Sequence, residues 1–338
     1  MADFADNLPG KLRLVFMGTP DFAATILHKV AAWDGGQIVA VYAQPDRPAG
    51  RGKKLQEPAV KKLAHSLGFA VRQPQNFKDE AEILQLRELR PDVLVVAAYG
   101  LILPQAVLDI PTLGPYNAHA SLLPKHRGAA PIHRAIMDGD QITGVTIMRM
   151  EAGLDVGPIL LQQAVTIDPQ DTSGSMFELL ADISGGLMLG ALDMLAEKRA
   201  AFIPQNNDLA SYAPKITRSE EIIDWRQSAE KIHCQIRALT PAPGARTVLT
   251  LPGKEALPLQ VTPGWILTDN GAGDNIKAAP GALLGLADQH LVVACGQGRY
   301  GLNCIRPAGK NTMSAQDFHN GYLRTPEAKY SVLGAAWA

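Results

Sequence analysis

Asn117 and His119 stand two residues apart in Tyr116-Asn-Ala-His-Ala-Ser-Leu-Leu-Pro124, and Asp155 follows in Glu151-Ala-Gly-Leu-Asp-Val-Gly157. A carboxamide, an imidazole and a carboxylate are the groups that proton transfer beside a carbonyl requires. Side chains two residues apart on an extended segment leave the same face, so Asn117 and His119 are expected side by side. Asp155 must then arrive from a neighbouring loop. A carboxylate next to an imidazole favours its charged form and fixes its tautomer, while a carboxamide N–H can bond an oxygen that gains charge in the transition state. The set suits acyl transfer to an amine. Each residue also has a simpler reading. A lone histidine beside apolar residues is most often a satisfied core histidine, and an aspartate flanked by Gly153 and Gly157 fits a turn. Asn117 at the matching spacing favours the chemical role for His119; position alone leaves Asp155 open between the two.

These groups need a frame. Leu12 to Met17 reads as a short apolar strand, after which Thr19-Pro20 supplies an N-cap and a first-turn proline for a helix with Phe22, Ala23, Ile26, Leu27 and Val30 inward. Gly35-Gly36 ends that helix and Gln37 to Ala43 forms a second strand. A helix opened at Pro58 follows, with Val60, Leu63, Ala64 and Leu67 inward. Asp92 to Ala98 is a near-continuous apolar run, as expected of a central parallel strand covered on both faces. This alternation predicts a doubly wound α/β domain, whose ligands sit at the carboxyl ends of the strands. Tyr99-Gly100, Asn117 and His119 all fall there. Leu101, Ile102 and Leu103 read either as apolar walls for a flat ring or as ordinary core. Only Gly18 follows the first strand, so the Gly-x-Gly-x-x-Gly of a nicotinamide enzyme is missing.

Ser173 to Glu197 reads as a long helix, and Ala201 to Pro214 as a connection rich in proline and asparagine. Beyond it comes a helix from Ser228 to Leu239. Five short apolar segments then follow at 246–251, 259–267, 281–286, 290–295 and 300–306, separated by Gly, Pro and Asn turns. That pattern predicts a small antiparallel barrel onto which Phe318 packs a terminal helix. The expected organisation is a catalytic domain over 1–200, a connection over 201–214 and a second domain over 215–338.

A chain of 338 residues favours two domains on length alone. Its 46% hydrophobic and 19% charged residues are those of a soluble globular protein. No uninterrupted apolar run approaches the roughly 20 residues that span a bilayer, and the first residues lack the pattern of an export signal. A cytoplasmic protein with no membrane partner is expected. Cys234, Cys295 and Cys304 show no Cys-x-x-Cys spacing, which argues against a disulfide framework and a zinc knuckle. His119, His126 and His133 recur every seven residues, but Pro124, Gly128 and Pro131 prevent one helix from aligning them, and no metal is expected. The net charge of −1 hides an asymmetry: residues 210–338 carry 13 Lys+Arg against 10 Asp+Glu. Between Gln44 and Lys62, Arg47, Arg51, Lys53, Lys54, Lys61 and Lys62 face only Asp46 and Glu57. Prolines and glycines exclude a regular helix or strand from Arg47 to Lys54, and such a stretch is usually a solvated loop. Its density of cations also suits a mobile arm that reaches phosphates.

Several segments together carry a resemblance. Asn-x-His-x-Ser-Leu-Leu-Pro with the later Gly-Leu-Asp resembles the signature of the 10-formyltetrahydrofolate-dependent formyltransferases. Gln44-Pro-Asp-Arg-Pro-Ala-Gly-Arg-Gly-Lys-Lys54, Ala98-Tyr-Gly-Leu-Ile-Leu-Pro104, Arg127-Gly-Ala-Ala-Pro131, Gly144-Val-Thr-Ile-Met148, Pro307-Ala-Gly-Lys310 and Met313-Ser-Ala-Gln-Asp317 are similar to the branch that acts on methionyl-tRNA. The resemblance runs from about Leu12 to Phe318. It implies a Rossmann-like formyltransferase domain followed by an OB-like, tRNA-binding barrel. It further implies transfer of the formyl group to the α-amine of methionine on initiator tRNA, for translation initiation; a monomer is expected, and nothing in the sequence requires a metal. Asn117, His119 and Asp155 would be catalytic, and Ser121, Leu122, Leu123 and Pro124 would line the folate site. Arg47 would make the discriminating contact of a loop entering the tRNA acceptor arm, with Arg51, Lys53 and Lys54 on the backbone. The chain departs from the family at Pro241-Ala-Pro-Gly244, where a tryptophan is usual between the prolines. Two alternatives remain: a formyltransferase acting on an amino-sugar nucleotide, which the basic loop disfavours, and a non-catalytic folate- or RNA-binding protein, which the Asn117, His119 and Asp155 set disfavours.

Overall fold

The computed structural model describes residues 10–49, 54–267, 278–324 and 332–334. The chain divides into two units that share it in turns: 1–131, 142–166 and 177–213 form one, while 132–141, 167–176 and 214–338 form the other.

The first unit begins with β1 (Leu12–Gly18), α1 (Asp21–Ala31) and β2 (Gly36–Tyr42). The buried stripe of α1 is Phe22, Ala23, Ile26, Leu27 and Val30, as its period of apolar residues dictates. Its cap is not the expected one. Pro20 occupies that position without a side-chain bond, and the Thr19 hydroxyl donates instead to the Tyr99 carbonyl at 2.8 Å. A short ribbon follows, β3 (Arg47–Ala49) against β4 (Lys54–Gln56), paired antiparallel with Pro48 opposite Leu55. A two-stranded ribbon has two open edges, where the missing N–H of a proline costs little, so the prolines do not exclude strands here.

Next come α2 (Ala59–Ser66), β5 (Val71–Arg72), α3 (Glu80–Glu88), β6 (Val93–Ala97), α4 (Gln105–Leu108) and β7 (Gly114–His119). Val60 and Ala64 of α2 are buried, but Leu67 caps its C-terminus and is 40% exposed, contrary to the periodicity. The remaining elements are β8 (Arg127–Gly128), α5 (Pro131–Met137), which the second unit takes from Ile132 on, β9 (Ile142–Arg149), β10 (Ile159–Thr166), α6 (Ser173–Ala196), whose first residues to Met176 also go to the second unit, and β11 (Tyr212–Ala213). Seven strands form one sheet in the order β10-β9-β7-β6-β1-β2-β5. From β7 to β5 the neighbours are parallel, whereas β9 and β10 run antiparallel. All five residues of β6 are buried, as a central strand covered by helices requires. Helix α6 is long and apolar enough to cross a membrane by length and composition. Leu180, Met188, Ala191 and Leu192 are nevertheless fully buried, as in a core helix. The segment before β11 does not run free: Ile203 bridges Ile159, and β11 pairs with β8.

In the second unit α7 (Ala229–Ala238) is capped by the Ser228 hydroxyl, which accepts from the Lys231 N–H. The strands are β12 (Ala245–Thr250), β13 (Leu257–Val261), β14 (Trp265–Leu267), β15 (Leu283–Ala287), β16 (His290–Ala294), β17 (Arg299–Leu302), β18 (Cys304–Pro307) and β19 (Met313–Ser314). Helix α8 (Ala315–Tyr322) and β20 (Val332–Gly334) complete it. They build two antiparallel sheets, β19-β18-β13-β12-β20 and β14-β17-β16-β15. Two of the five expected strands are each split in two, because the chain passes from one sheet to the other at Thr262–Gly264 and at Asn303. Such corners bend a strand out of its sheet. At the first, a Cβ on Gly264 would lie 1.9 Å from the Gly301 carbonyl oxygen, so only glycine fits. Phe318 of α8 is fully buried in the shared core with Trp225, Ile232, Tyr300 and Ile305.

His233 ties this unit together. The Gly264 N–H donates to the Tyr300 hydroxyl at 2.8 Å, the Tyr300 hydroxyl lies 3.0 Å from His233 Nδ1, and His233 Nε2 lies 2.9 Å from the Pro169 carbonyl. The chain of bonds is complete only with Nε2 protonated and Nδ1 accepting, that is, with a neutral ring. Burial lowers the pKa of His233 from its ordinary 6.5, and burial does the same to His133 on α5. The unfolded chain then takes up protons at a pH where the folded one does not. What these two neutral rings contribute to stability is therefore full above about pH 6.5 and is lost as pH falls below it. Thermal unfolding from pH 8 to 5 should show a falling midpoint, and His233→Gln should flatten part of that fall. A midpoint independent of pH would contradict the arrangement.

Candidate active site

Strand β7 delivers two of the three polar groups. Asn117 pairs with Val96 on the parallel side and Met148 on the antiparallel side, and His119 pairs with Thr146. The pleat sends both side chains to one face. His119 is 5% exposed, and its Nε2 lies 2.9 Å from the His126 carbonyl. A carbonyl only accepts, so Nε2 carries a proton and Nδ1 is the nitrogen left to exchange one. Asn117 is half-buried, and no described residue holds its carboxamide.

Nδ1 faces Asp155 Oδ2 at 3.7 Å, with the two side chains 6% and 14% exposed. That exceeds a hydrogen bond, so the carboxylate acts on the ring through its field. The negative oxygen thus faces the ring nitrogen at which an imidazolium would carry its added proton. Asp155 Oδ2 also accepts from the Gly128 N–H at 2.8 Å. The loop is tight. Asp155 sits at φ +54°, in the left-handed region that costs a non-glycine residue energy. A Cβ on Gly157 would lie 1.8 Å from the Arg149 carbonyl oxygen. Asp155 is thus both the turn residue and the carboxylate beside the histidine.

Ser121 to Pro124 follow β7 directly and are bolted to the sheet. Ser121 Oγ donates to the Lys125 carbonyl, and Thr146 Oγ1 donates to the Ser121 carbonyl at 2.7 Å while accepting from the Leu123 N–H at 3.1 Å. Gln162 donates to the Leu123 carbonyl at 2.8 Å. Ser121 and Leu123 are buried, Leu123 against Met148 and Ile159, so Leu122 and Pro124, both half-buried, are the two with surface to offer. Across the same sheet edge, after β6, Ile102 is 93% exposed whereas Leu103 is core. Sequence reasoning gave no role to Thr146 and Gln162; Thr146 lies within a quoted motif, and Gln162 carries no signal at all.

The basic ribbon is anchored at its base. Lys61 Nζ lies 3.0 and 2.8 Å from the two Asp46 oxygens, and Gln73 Nε2 donates to Asp46 Oδ1 and to the Gln44 carbonyl, both at 2.8 Å. Hydrogen bonds from Gln73 and Lys61 hold the Asp46 carboxyl below its ordinary pKa. Lys61 is thereby spent on the protein itself, while Arg47 on β3 is exposed. Arg51 and Lys53 lie outside the described residues, as does the side chain of Lys54. Among the described residues no cluster of His, Cys, Asp and Glu fit to hold a metal is found.

The sheet presents Asn117 and His119, on β7, to the loop carboxylate Asp155, a set whose chemistry suits acyl transfer. Residues 12–192 match the formyl transferase family and residues 215–323 match the formyl transferase C-terminal domain; the chain belongs to this family. It is 46% identical over 325 residues to a methionyl-tRNA formyltransferase of Nitratidesulfovibrio vulgaris strain DP4, covering 96% of this chain and 97% of that protein. It is 44% identical over 315 residues to a methionyl-tRNA formyltransferase of Moorella thermoacetica, covering 93% and 98%. Among solved structures, an N-formyltransferase from Helicobacter canadensis in complex with folinic acid and dTDP-3-aminofucose matches with a TM-score of 0.63 at 16% identity. That match covers 86% of this chain and 98% of the other. HypX from Aquifex aeolicus in complex with tetrahydrofolic acid matches at 0.58 and 15%, covering 93% of this chain and 48% of HypX, about half its length. At such identities these structures speak to the fold alone.

Proposed function

We propose that this chain transfers the formyl group of 10-formyltetrahydrofolate to the α-amine of methionine on initiator tRNA, giving N-formylmethionyl-tRNA for translation initiation. The convergence of Asn117, His119 and Asp155 at the end of β7 carries the reading. The near-full-length relatives and the cationic ribbon favour a tRNA over an amino-sugar nucleotide. The residues at this edge suit the folate: Ile102, Leu122 and Pro124 offer apolar surface to a flat ring, and the carboxamide of Asn117 is open for a carbonyl oxygen.

10-formyltetrahydrofolate supplies a formyl carbon bonded to a nitrogen that can leave. Asn117 donates to the formyl oxygen as negative charge gathers on it. His119 takes through Nδ1 the proton that the attacking amine sheds when its nitrogen bonds the formyl carbon, and can return a proton to the departing nitrogen. Asp155 stabilises the imidazolium formed in between. Leu122 and Pro124 would line the folate, with Ser121 and Leu123 shaping the turn behind them. Arg47, Arg51, Lys53 and Lys54 would engage the acceptor arm, Arg47 making the discriminating contact. The reading includes a cytoplasmic location and a monomeric protein.

Incubation with 10-formyltetrahydrofolate and either methionyl-tRNA or an amino-sugar nucleotide tests the reading. Methionine on the tRNA should be formylated and the sugar should not; the opposite result would overturn it. The KM for methionyl-tRNA should rise with salt, by a log–log slope of roughly −0.7 to −0.9 in affinity for each phosphate neutralised. Arg47→Ala should raise that KM and reduce the slope by about one contact. A KM indifferent to both would remove the ribbon from recognition.

A further inference from the structure

The loop that carries Asp155 is gripped from a segment with no signal of its own. Gln205 donates through Nε2 to the Asp155 carbonyl at 2.8 Å and to the Gly157 carbonyl at 2.7 Å. Its Oε1 accepts from Arg127 Nε at 3.1 Å and from Arg127 NH2 at 2.8 Å. Both amide hydrogens and the amide oxygen are therefore in use. Reversing the carboxamide would set oxygen against two carbonyls and an NH2 against a guanidinium, so the orientation is fixed by the network. Arg127 is 3% exposed, and its NH2 also donates to Asn207 Oδ1 at 2.8 Å. The next residue, Gly128, gives its N–H to the Asp155 carboxylate at 2.8 Å. The dipeptide Arg127-Gly128 thus holds Asp155 twice, at its side chain directly and at its main chain through Gln205.

A strained φ persists only where its surroundings over-determine it, and this grip is such a surrounding. We propose that Gln205, locked by Arg127, is a positioning residue that sets the Asp155 carboxylate against His119. The inference rests on the reading that Asp155 charges His119. The distance it maintains matters, because the field of the carboxylate weakens with separation and a misplacement of about 1 Å in a catalytic site can cost on the order of 10²-fold in rate. Were Gln205 only a structural tie, its loss would lower the melting temperature and leave turnover alone.

The test compares Gln205→Ala, Gln205→Glu and Asp155→Ala in the full chain, with kcat, the KM for each substrate and thermal unfolding measured for all. Gln205→Glu keeps the size of the side chain and an oxygen for Arg127, but puts oxygen against the two loop carbonyls. It is the safeguard if Gln205→Ala folds poorly. Each Gln205 variant should lower kcat by about 10- to 100-fold, with KM values within about twofold. In an Asp155→Ala background Gln205→Ala should cost less than about twofold more, since residues that act as a unit are not additive. A kcat near wild type in folded Gln205 variants, with Asp155→Ala inactive, would overturn this inference alone. A loss fully multiplicative with Asp155→Ala would assign Gln205 another route and also overturn it. An active Asp155→Ala would bring down the catalytic reading of Asp155 itself.

Discussion

Asn117→Ala should lower the single-turnover rate of formyl transfer by about 10²- to 10³-fold, corresponding to the ~2.7–4 kcal/mol that one oxyanion donor supplies. The substitution is clean. The backbone of Asn117 is fixed by pairing with Val96 and Met148, and truncation breaks no side-chain bond among the described residues. Thermal stability should stay close to wild type, as should the KM for methionyl-tRNA. Asn117→Asp should be no better, because a carboxylate is an acceptor where a donor is required and repels the charge that develops. Rapid quench under single turnover is the measurement, and a rate near wild type for Asn117→Ala would remove the oxyanion role.

His119→Ala should cost about 10²- to 10⁴-fold, the usual worth of positioned proton transfer. Nε2 is committed to the His126 carbonyl, so the loss is that of Nδ1 as proton acceptor. Without it the amine must shed its proton to solvent. The residual rate of His119→Ala should therefore climb with pH more steeply than wild type, as more amine arrives neutral. Asp155→Asn should fall in the same direction, because an amide keeps the shape of the side chain but removes the negative charge 3.7 Å from Nδ1. A His119→Ala enzyme with a wild-type rate and pH profile would mean that the proton leaves by another path.

Much of this frame can be read from the chain because its signals are local. The stripe of α1, the run of β6 and the Ser228 cap of α7 each follow from period or capping chemistry within a dozen residues. The errors arise where a distant partner wins. The Thr19 hydroxyl looks like a cap in sequence, yet it donates its hydrogen bond to the Tyr99 carbonyl, 80 residues on. Leu67 continues a helical period but falls on the cap residue, where the chain has already left the helix. The breaks at Thr262–Gly264 and Asn303 hide inside continuous apolar segments, since changing sheets does not change the need for burial. Asn117 and His119 are legible as a pair through their spacing. Asp155 stays open in sequence between a glycine-flanked turn and the site's carboxylate until the fold brings Gly128 and His119 to it. Gln205 is invisible, one polar residue in a proline- and asparagine-rich run, because its meaning lies in three partners remote in sequence.

The interleaving of the two units limits how this gene could be cut and recombined. His233 and Arg237 on α7 reach the main-chain oxygens of Pro169, Asp168 and Asp171, which belong to a short stretch threaded in from the middle of the chain. A transplant starting at Pro214 would carry the imidazole and the guanidinium without their acceptors, leaving inward donors stranded at a cost of several kcal/mol. The barrel is therefore no self-contained cassette: the excursion through 167–176 has to travel with it in any chimera.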